Sequence, residues 1–165
     1  RQLLADTYSQ LGYQAESGPW RNFYLTGAQD LLKKAVPYTS KLINDGVLSQ
    51  MDMGTLLDYC AIQLNGEKAG GKEAVININF TDTKEKVMLM LNNGVLNHRL
   101  GSQDKKADLT MEIAKMDFVK LFFGRTDLQT LHKTNKVKTT GDTKAIDIIR
   151  SAYEPADPNF NIVLP

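Results

Sequence analysis

The stretch AVININFTDTKEKVMLMLNNGVLNHRL, residues 74–100, decides how the rest of the chain is read. Ala74, Ile76, Ile78 and Phe80 alternate with Asn77 and Asn79, the period of two that marks a strand with one apolar face. After a turn at residues 81–84, a second strand over 85–91 is apolar on both faces, through Val87, Met88, Leu89, Met90 and Leu91. Asn93 and Gly94 tolerate the positive φ of a two-residue hairpin turn, so residues 95–100 return as a third, antiparallel strand. Leu109, Met111 and Ile113, set opposite Asp108, Thr110 and Glu112, predict a fourth strand completing a meander with one solvated face.

Outward from the meander the period changes to that of helices. Upstream, Asp52 is a candidate N-cap for a helix with its apolar stripe at Met53, Leu56, Leu57, Cys60, Ala61 and Leu64, stopped by Asn65 and Gly66. Downstream, residues 116–123 form an apolar helix carrying Phe118, Leu121 and Phe122 that ends at Gly124, and a short helix follows from the cap Thr126. Val137 and Thr139 suggest a fifth strand. Asp142 caps a last helix that buries Ala145, Ile146, Ile148, Ile149 and Ala152, and the tail alternates at Phe160, Ile162 and Leu164. The predicted class is α+β: a mainly antiparallel five-stranded sheet with helices packed on one face.

The N-terminal residues belong to something else. Leu4, Tyr8, Leu11 and Ala15 lie at helical spacing, weakened by Gly12. Pro19 then opens a second helix whose apolar stripe is Trp20, Phe23, Tyr24, Gly27, Ala28 and Leu31. Two such helices make a hairpin that cannot enclose both stripes, so another surface must cover them. Between Ala35 and Gln50 the pattern breaks at Pro37, Ser40, Asn44, Asp45 and Gly46. The partition read from this is a helical segment at 1–36, a linker with a short helical turn at 37–51, and a sheet domain at 52–165.

Twenty Lys and Arg against nineteen Asp and Glu leave a net charge of +1, which gives no field to attract a phosphate backbone and argues against nucleic acid as a partner. A composition 42% hydrophobic and 24% charged is that of a folding chain rather than a disordered one. No run approaches the roughly 20 apolar residues of a transmembrane helix. The single Cys60 excludes an internal disulfide and leaves localisation, periplasm or cytoplasm, open. The start at Arg1, inside a helical pattern, is read as the sign of a longer natural polypeptide.

At residue level, Ala107-Asp108-Leu109-Thr110-Met111-Glu112-Ile113, Asp117-Phe118, Phe123-Gly124 and Lys136-Val137-Lys138-Thr139-Thr140-Gly141-Asp142 resemble the second half of a sterol-carrier-protein-type-2-like domain. Upstream, Arg1-Gln2-Leu3-Leu4-Ala5-Asp6, Leu11-Gly12-Tyr13-Gln14-Ala15-Glu16 and Trp20-Arg21-Asn22-Phe23-Tyr24-Leu25-Thr26-Gly27-Ala28 resemble the end of the helical dimerisation domain of bacterial alkyl sulfatases. Asn161-Ile162-Val163-Leu164-Pro165 is similar to that family's C-terminus. Ala114-Lys115 departs from it, standing where the family often has a serine-led helix cap. The resemblance implies a parent whose zinc-dependent, metallo-β-lactamase-like domain comes first, the helical domain second and the sterol-carrier-like domain last.

No chemistry of that parent is visible in these residues. His98 and His132 fall in different elements, too few for a zinc site, so no cofactor is expected in this chain and zinc only in the hydrolase domain. Cys60 sits on an apolar stripe without a neighbouring base and is expected to be inert; Asp6 with Glu16, or Asp108 with Glu112, show no sign of convergence. Lys133, Lys136 and Lys138 lack interleaved aromatics and read as a solvated edge strand. The positive expectation is an apolar cavity lined by Met88, Met90, Met111, Phe118, Leu121, Phe122, Leu131, Ile146 and Ile149. It would take a long-chain alkyl sulfate, a fatty acid or a similar ligand, presented to the hydrolase domain. The alternative is an assembly module with a filled core, forming a homodimer through Trp20, Phe23 and Tyr24.

Overall fold

A computed structural model describes residues 1–32 and 44–155. The alternating tail at Phe160, Ile162 and Leu164 and residues 37–43 of the linker read at 37–51 lie outside the described residues. The chain divides into two compact units, one N-terminal and helical, the other built on a sheet.

In the helical unit, α1 (Gln2–Gln14) packs on α2 (Gly18–Leu32). Gly12, costly for helix propensity, is buried at the point of closest approach: a Cβ there would lie 2.8 Å from the Leu25 side chain. Ala5, Ala28 and Leu31 form the small shared core, with Tyr8 packed against it. Leu3, Leu4, Leu11, Tyr13, Trp20, Phe23 and Leu32 remain exposed.

The second unit begins with α3 (Asp45–Gln50), part of the stretch read as linker. It is a capped helix: Asn44 Oδ1 accepts from the Val47 N–H at 3.1 Å, and Leu48 is fully buried in the core of this unit. In α4 (Met53–Ile62), Asp52 is the cap as expected, accepting from the Thr55 N–H at 2.9 Å and the Thr55 hydroxyl at 2.6 Å. Asn65 does not stop α4 but starts α5 (Gly66–Ala69), its Oδ1 accepting from the N–H groups of Glu67 and Lys68. A short amide serves the orphan donors of a following turn better than it closes a preceding one.

Five strands follow as one sheet: β1 (Ala74–Phe80), β2 (Lys86–Asn92), β3 (Val95–Leu100), β4 (Leu109–Ile113) and β5 (Val137–Gly141), in the order β3-β2-β1-β4-β5. The Asn93-Gly94 turn is as read, with φ of 50° and 75°. The four-stranded meander is not: β4 lies on the far side of β1 and runs parallel to it, while the other three pairings are antiparallel. The reason is where residues 101–108 go. They cross the sheet face bearing Asn77, whose Nδ2 donates to the Asp104 carbonyl at 2.7 Å while its Oδ1 accepts from the Asp104 N–H at 2.9 Å. The Gln103 side chain donates through Nε2 to Asn79 Oδ1 at 2.7 Å, and the Asp108 N–H donates to the Val75 carbonyl. A buried amide must be satisfied, and the crossing segment satisfies it.

Helices α6 (Lys115–Phe122), α7 (Leu128–Lys133) and α8 (Lys144–Ser151) join α4 on the other, inner face of the sheet. Asp127, not Thr126, caps α7, accepting from the Thr130 N–H at 2.8 Å and the Thr130 hydroxyl at 2.9 Å. The cap position of α8 is Thr143, which makes no side-chain capping bond; Asp142 instead accepts from the Lys144 N–H. Hydrogen bonds from Thr55 to Asp52, the hydroxyl's foremost, and from Thr130 to Asp127, the backbone N–H's foremost, hold both carboxyls below the usual range. Their stabilisation is therefore present above the ordinary carboxylate pKa and is lost as pH falls through the lowered one.

At Ala114-Lys115 the missing serine cap is replaced from two directions. Asp82 reaches across to accept from the Lys115 N–H, and the buried Lys115 ammonium donates to the Ser49 carbonyl at 3.0 Å and to the Met51 carbonyl. One lysine thus supplies donors to the open C-terminal end of α3 and ties it to α6. Lys115→Met removes those bonds and is expected to cost about 1–3 kcal/mol in denaturant unfolding, with faster amide exchange confined at first to residues 44–51. An unchanged midpoint contradicts the tie. Cys60 is fully buried on α4 and burial pushes its thiol up to about 12. It should resist a thiol reagent at pH 8 in native protein and react stoichiometrically once unfolded.

Candidate functional site

The residues expected to line a cavity divide between the two faces of the sheet. Register decides this: Ile76 pairs with Leu89 and Leu109, and Ile78 with Val87 and Met111, so these side chains share the inner face. Met111, Phe118, Leu121, Phe122, Leu131, Ile146 and Ile149 are all in the core beneath the helices, none more than 3% exposed. Aromatic rings fill much of this interior: Phe118 stands edge-on to Phe80 at 5.7 Å and tilted to Phe122 at 6.0 Å. Phe123 continues the cluster to Tyr153 at 5.4 Å and Tyr59 at 5.8 Å. These side chains belong to one buried cluster.

Met88 and Met90 are elsewhere, which corrects the single-cavity reading. Met88 pairs with Asn77 and Arg99, and Met90 with Val75 and Asn97, all on the outer face. The two-residue hairpin at Asn93-Gly94 fixes that register, and period-two geometry then separates Met88 and Met90 from Leu89 and Leu91. The apolar second strand is two-sided, but only one side faces helices. On the outer side, Val75, Met90, Val95, Asn97 and Arg99 line an open groove of about 620 Å³, together with Glu73, Leu91, Asn92, Asn93 and His98. Sequence reading passed over Val75, Val95 and Arg99; the signal available was their position opposite Met90, Asn92 and Met88 in the hairpin register.

On the helical unit the structure does bring the expected residues together. Trp20, Phe23 and Tyr24, with Pro19, line a groove of about 400 Å³. Tyr24 is contacted by Tyr8 at 6.1 Å and edge-on by Trp20 at 6.4 Å, while Trp20 stays 65% and Phe23 50% exposed. Aromatic area of that extent in water marks a surface meant to be covered.

Among the described residues the histidines and carboxylates singled out in the sequence stay apart. His98 Nδ1 lies 3.6 Å from Asp58 Oδ1 at the rim of the core, and His132 Nε2 is 3.2 Å from the Thr139 hydroxyl on another element. Among the described residues no three His, Cys, Asp or Glu side chains are grouped to hold a metal. Asp108 is occupied with the Val75 N–H at 2.8 Å. Lys136 and Lys138 pair with Asp117 and Glu112 beside the edge strand β5. No described helix is long and apolar enough to cross a membrane.

Comparison with known proteins agrees over the whole length. A linear primary-alkylsulfatase of Pseudomonas sp is 38% identical over 167 residues, and an (R)-specific secondary-alkylsulfatase of Pseudomonas sp is 37% identical over 171; each match covers 100% of this chain. The solved stereoselective inverting sec-alkylsulfatase of Pseudomonas sp. superposes on 98% of this chain with a TM-score of 0.87 at 36% identity. Sterol carrier proteins superpose more loosely, as in a palmitated form from Aedes aegypti at a TM-score of 0.45. The chain spans about a quarter of the length of the alkylsulfatases it matches, 25% in each case. Residues 1–34 match the family model described as alkyl sulfatase dimerisation and residues 41–165 the one described as alkyl sulfatase C-terminal, and the chain belongs to that family.

Proposed function

We propose that this chain is the non-catalytic C-terminal portion of an alkyl sulfatase, in which the sheet unit holds the hydrocarbon part of long-chain alkyl sulfate esters for a separate zinc hydrolase domain. The observation that carries the reading is the second apolar face of β2. A strand serving only as core needs Val87, Leu89 and Leu91; Met88 and Met90 extend its apolar character to the side without helices. Methionine adapts to irregular hydrocarbon, and each buried methylene contributes about 0.8 kcal/mol without directional contacts.

A second role, assembly, is favoured by a separate observation on the other unit: the exposed groove of Trp20, Phe23 and Tyr24 within the segment matching the dimerisation model. A second copy of the chain is the proposed cover. The two roles use different residues and are separable.

Dodecyl sulfate, well below its micelle concentration, should raise the melting temperature of the chain and be displaced by a fluorescent fatty acid. Absence of both effects contradicts the binding role. In sedimentation the chain should dimerise and Trp20→Ala should weaken the dimer by tenfold or more, the loss expected for a central aromatic anchor. A monomer at all concentrations contradicts the assembly role.

A further inference from the structure

We infer that the outer-face groove is a site for a single-chain anionic amphiphile, its hydrocarbon on Val75, Met90 and Val95 and its compact anionic head on Arg99. This rests on the reading that the sheet unit holds alkyl sulfate, and moves the site from beneath the helices to the opposite face. The register sets the layout. Across β1, β2 and β3 the row Val75–Met90–Asn97 forms the floor, with Met88–Arg99 on one side and Asn92–Val95 on the other. Residues 101–108, held by Asn77, close the face beyond Met88, which is only 6% exposed, so the groove extends toward the Asn93-Gly94 turn. Its volume of about 620 Å³ suits a small amphiphile.

Charge gives the occupant a direction. Among the described residues no hydrogen bond or ion pair engages the Arg99 side chain, so its five donors are free for an oxyanion. Glu73 stands at the other end, beside Asn92 and Val95, where it repels an anionic head and leaves the tail there. Val95 is 54% exposed, an apolar side chain in water that a hydrocarbon tail would cover.

The test is an NMR titration of the whole chain with octyl and decyl sulfate below their micelle concentrations, with 1-octanol, inorganic sulfate and phosphatidylglycerol vesicles as separate arms. Both alkyl sulfates should shift the amides of Val75, Met90, Val95, Asn97 and Arg99, with affinity rising about two- to fourfold per methylene. Arg99→Gln should weaken octyl sulfate about tenfold and leave octanol unchanged; Val95→Glu, at an exposed position, should weaken both. Shifts confined to Met111, Phe118 and Phe122 would overturn this site while leaving alkyl binding by the unit intact. No response to either alkyl sulfate would sink both. Inorganic sulfate reproducing the shifts without chain-length dependence, or binding to vesicles alone, also overturns the assignment.

Discussion

The reciprocal pair of hydrogen bonds between the Asn77 carboxamide and the Asp104 backbone, at 2.7 and 2.9 Å, holds residues 101–108 across the outer face of the sheet. Because the chain crosses there, β4 enters beside β1 rather than β3, and runs parallel to it. That places Leu109, Met111 and Ile113 against Ile76, Ile78 and Phe80, which gives the inner face its width and gives Phe118 and Phe122 a surface to pack on. The same crossing leaves one end of the outer face uncovered, at Val75, Met90 and Val95. The buried core on the inner face and the open groove on the outer one both follow from where this polar segment crosses.

Much of this was legible in the residues. The alternation in β1, the Asn93-Gly94 hairpin, the helical stripes of α4, α6 and α8, and the aromatic face at Trp20, Phe23 and Tyr24 all follow from periodicity and turn chemistry. What was not legible depended on long-range choices. Asn77 reads as an ordinary outward polar residue; nothing local says that its partner is Asp104 and that a strand changes sides as a result. The helix at α3 lacks a periodic stripe because it buries chiefly Leu48, and its C-terminal end is completed by Lys115, far away in sequence. Asp82 likewise supplies a cap to α6 that the local sequence lacks.

The placement of Met88 and Met90 is a different case, since the information was present. A two-residue turn fixes the β2–β3 register, and period two puts Met88 with Arg99 and Leu89 with His98. Treating flexible apolar side chains as one cavity set overrode that geometry. Separated by face, Met88 and Met90 stand outside the core on the side of Arg99, and the site proposed above is built on them.

The proposed role of the sheet unit turns on hydrocarbon being held on the outer face rather than under the helices. A crystal structure with an ω-bromoalkyl sulfate, its bromine located by anomalous scattering, tests this most directly. Bromine is expected over Val75, Met90 and Val95 with the sulfate at Arg99. Bromine between Phe118, Phe122 and Met111, with the helices displaced to admit it, would contradict it.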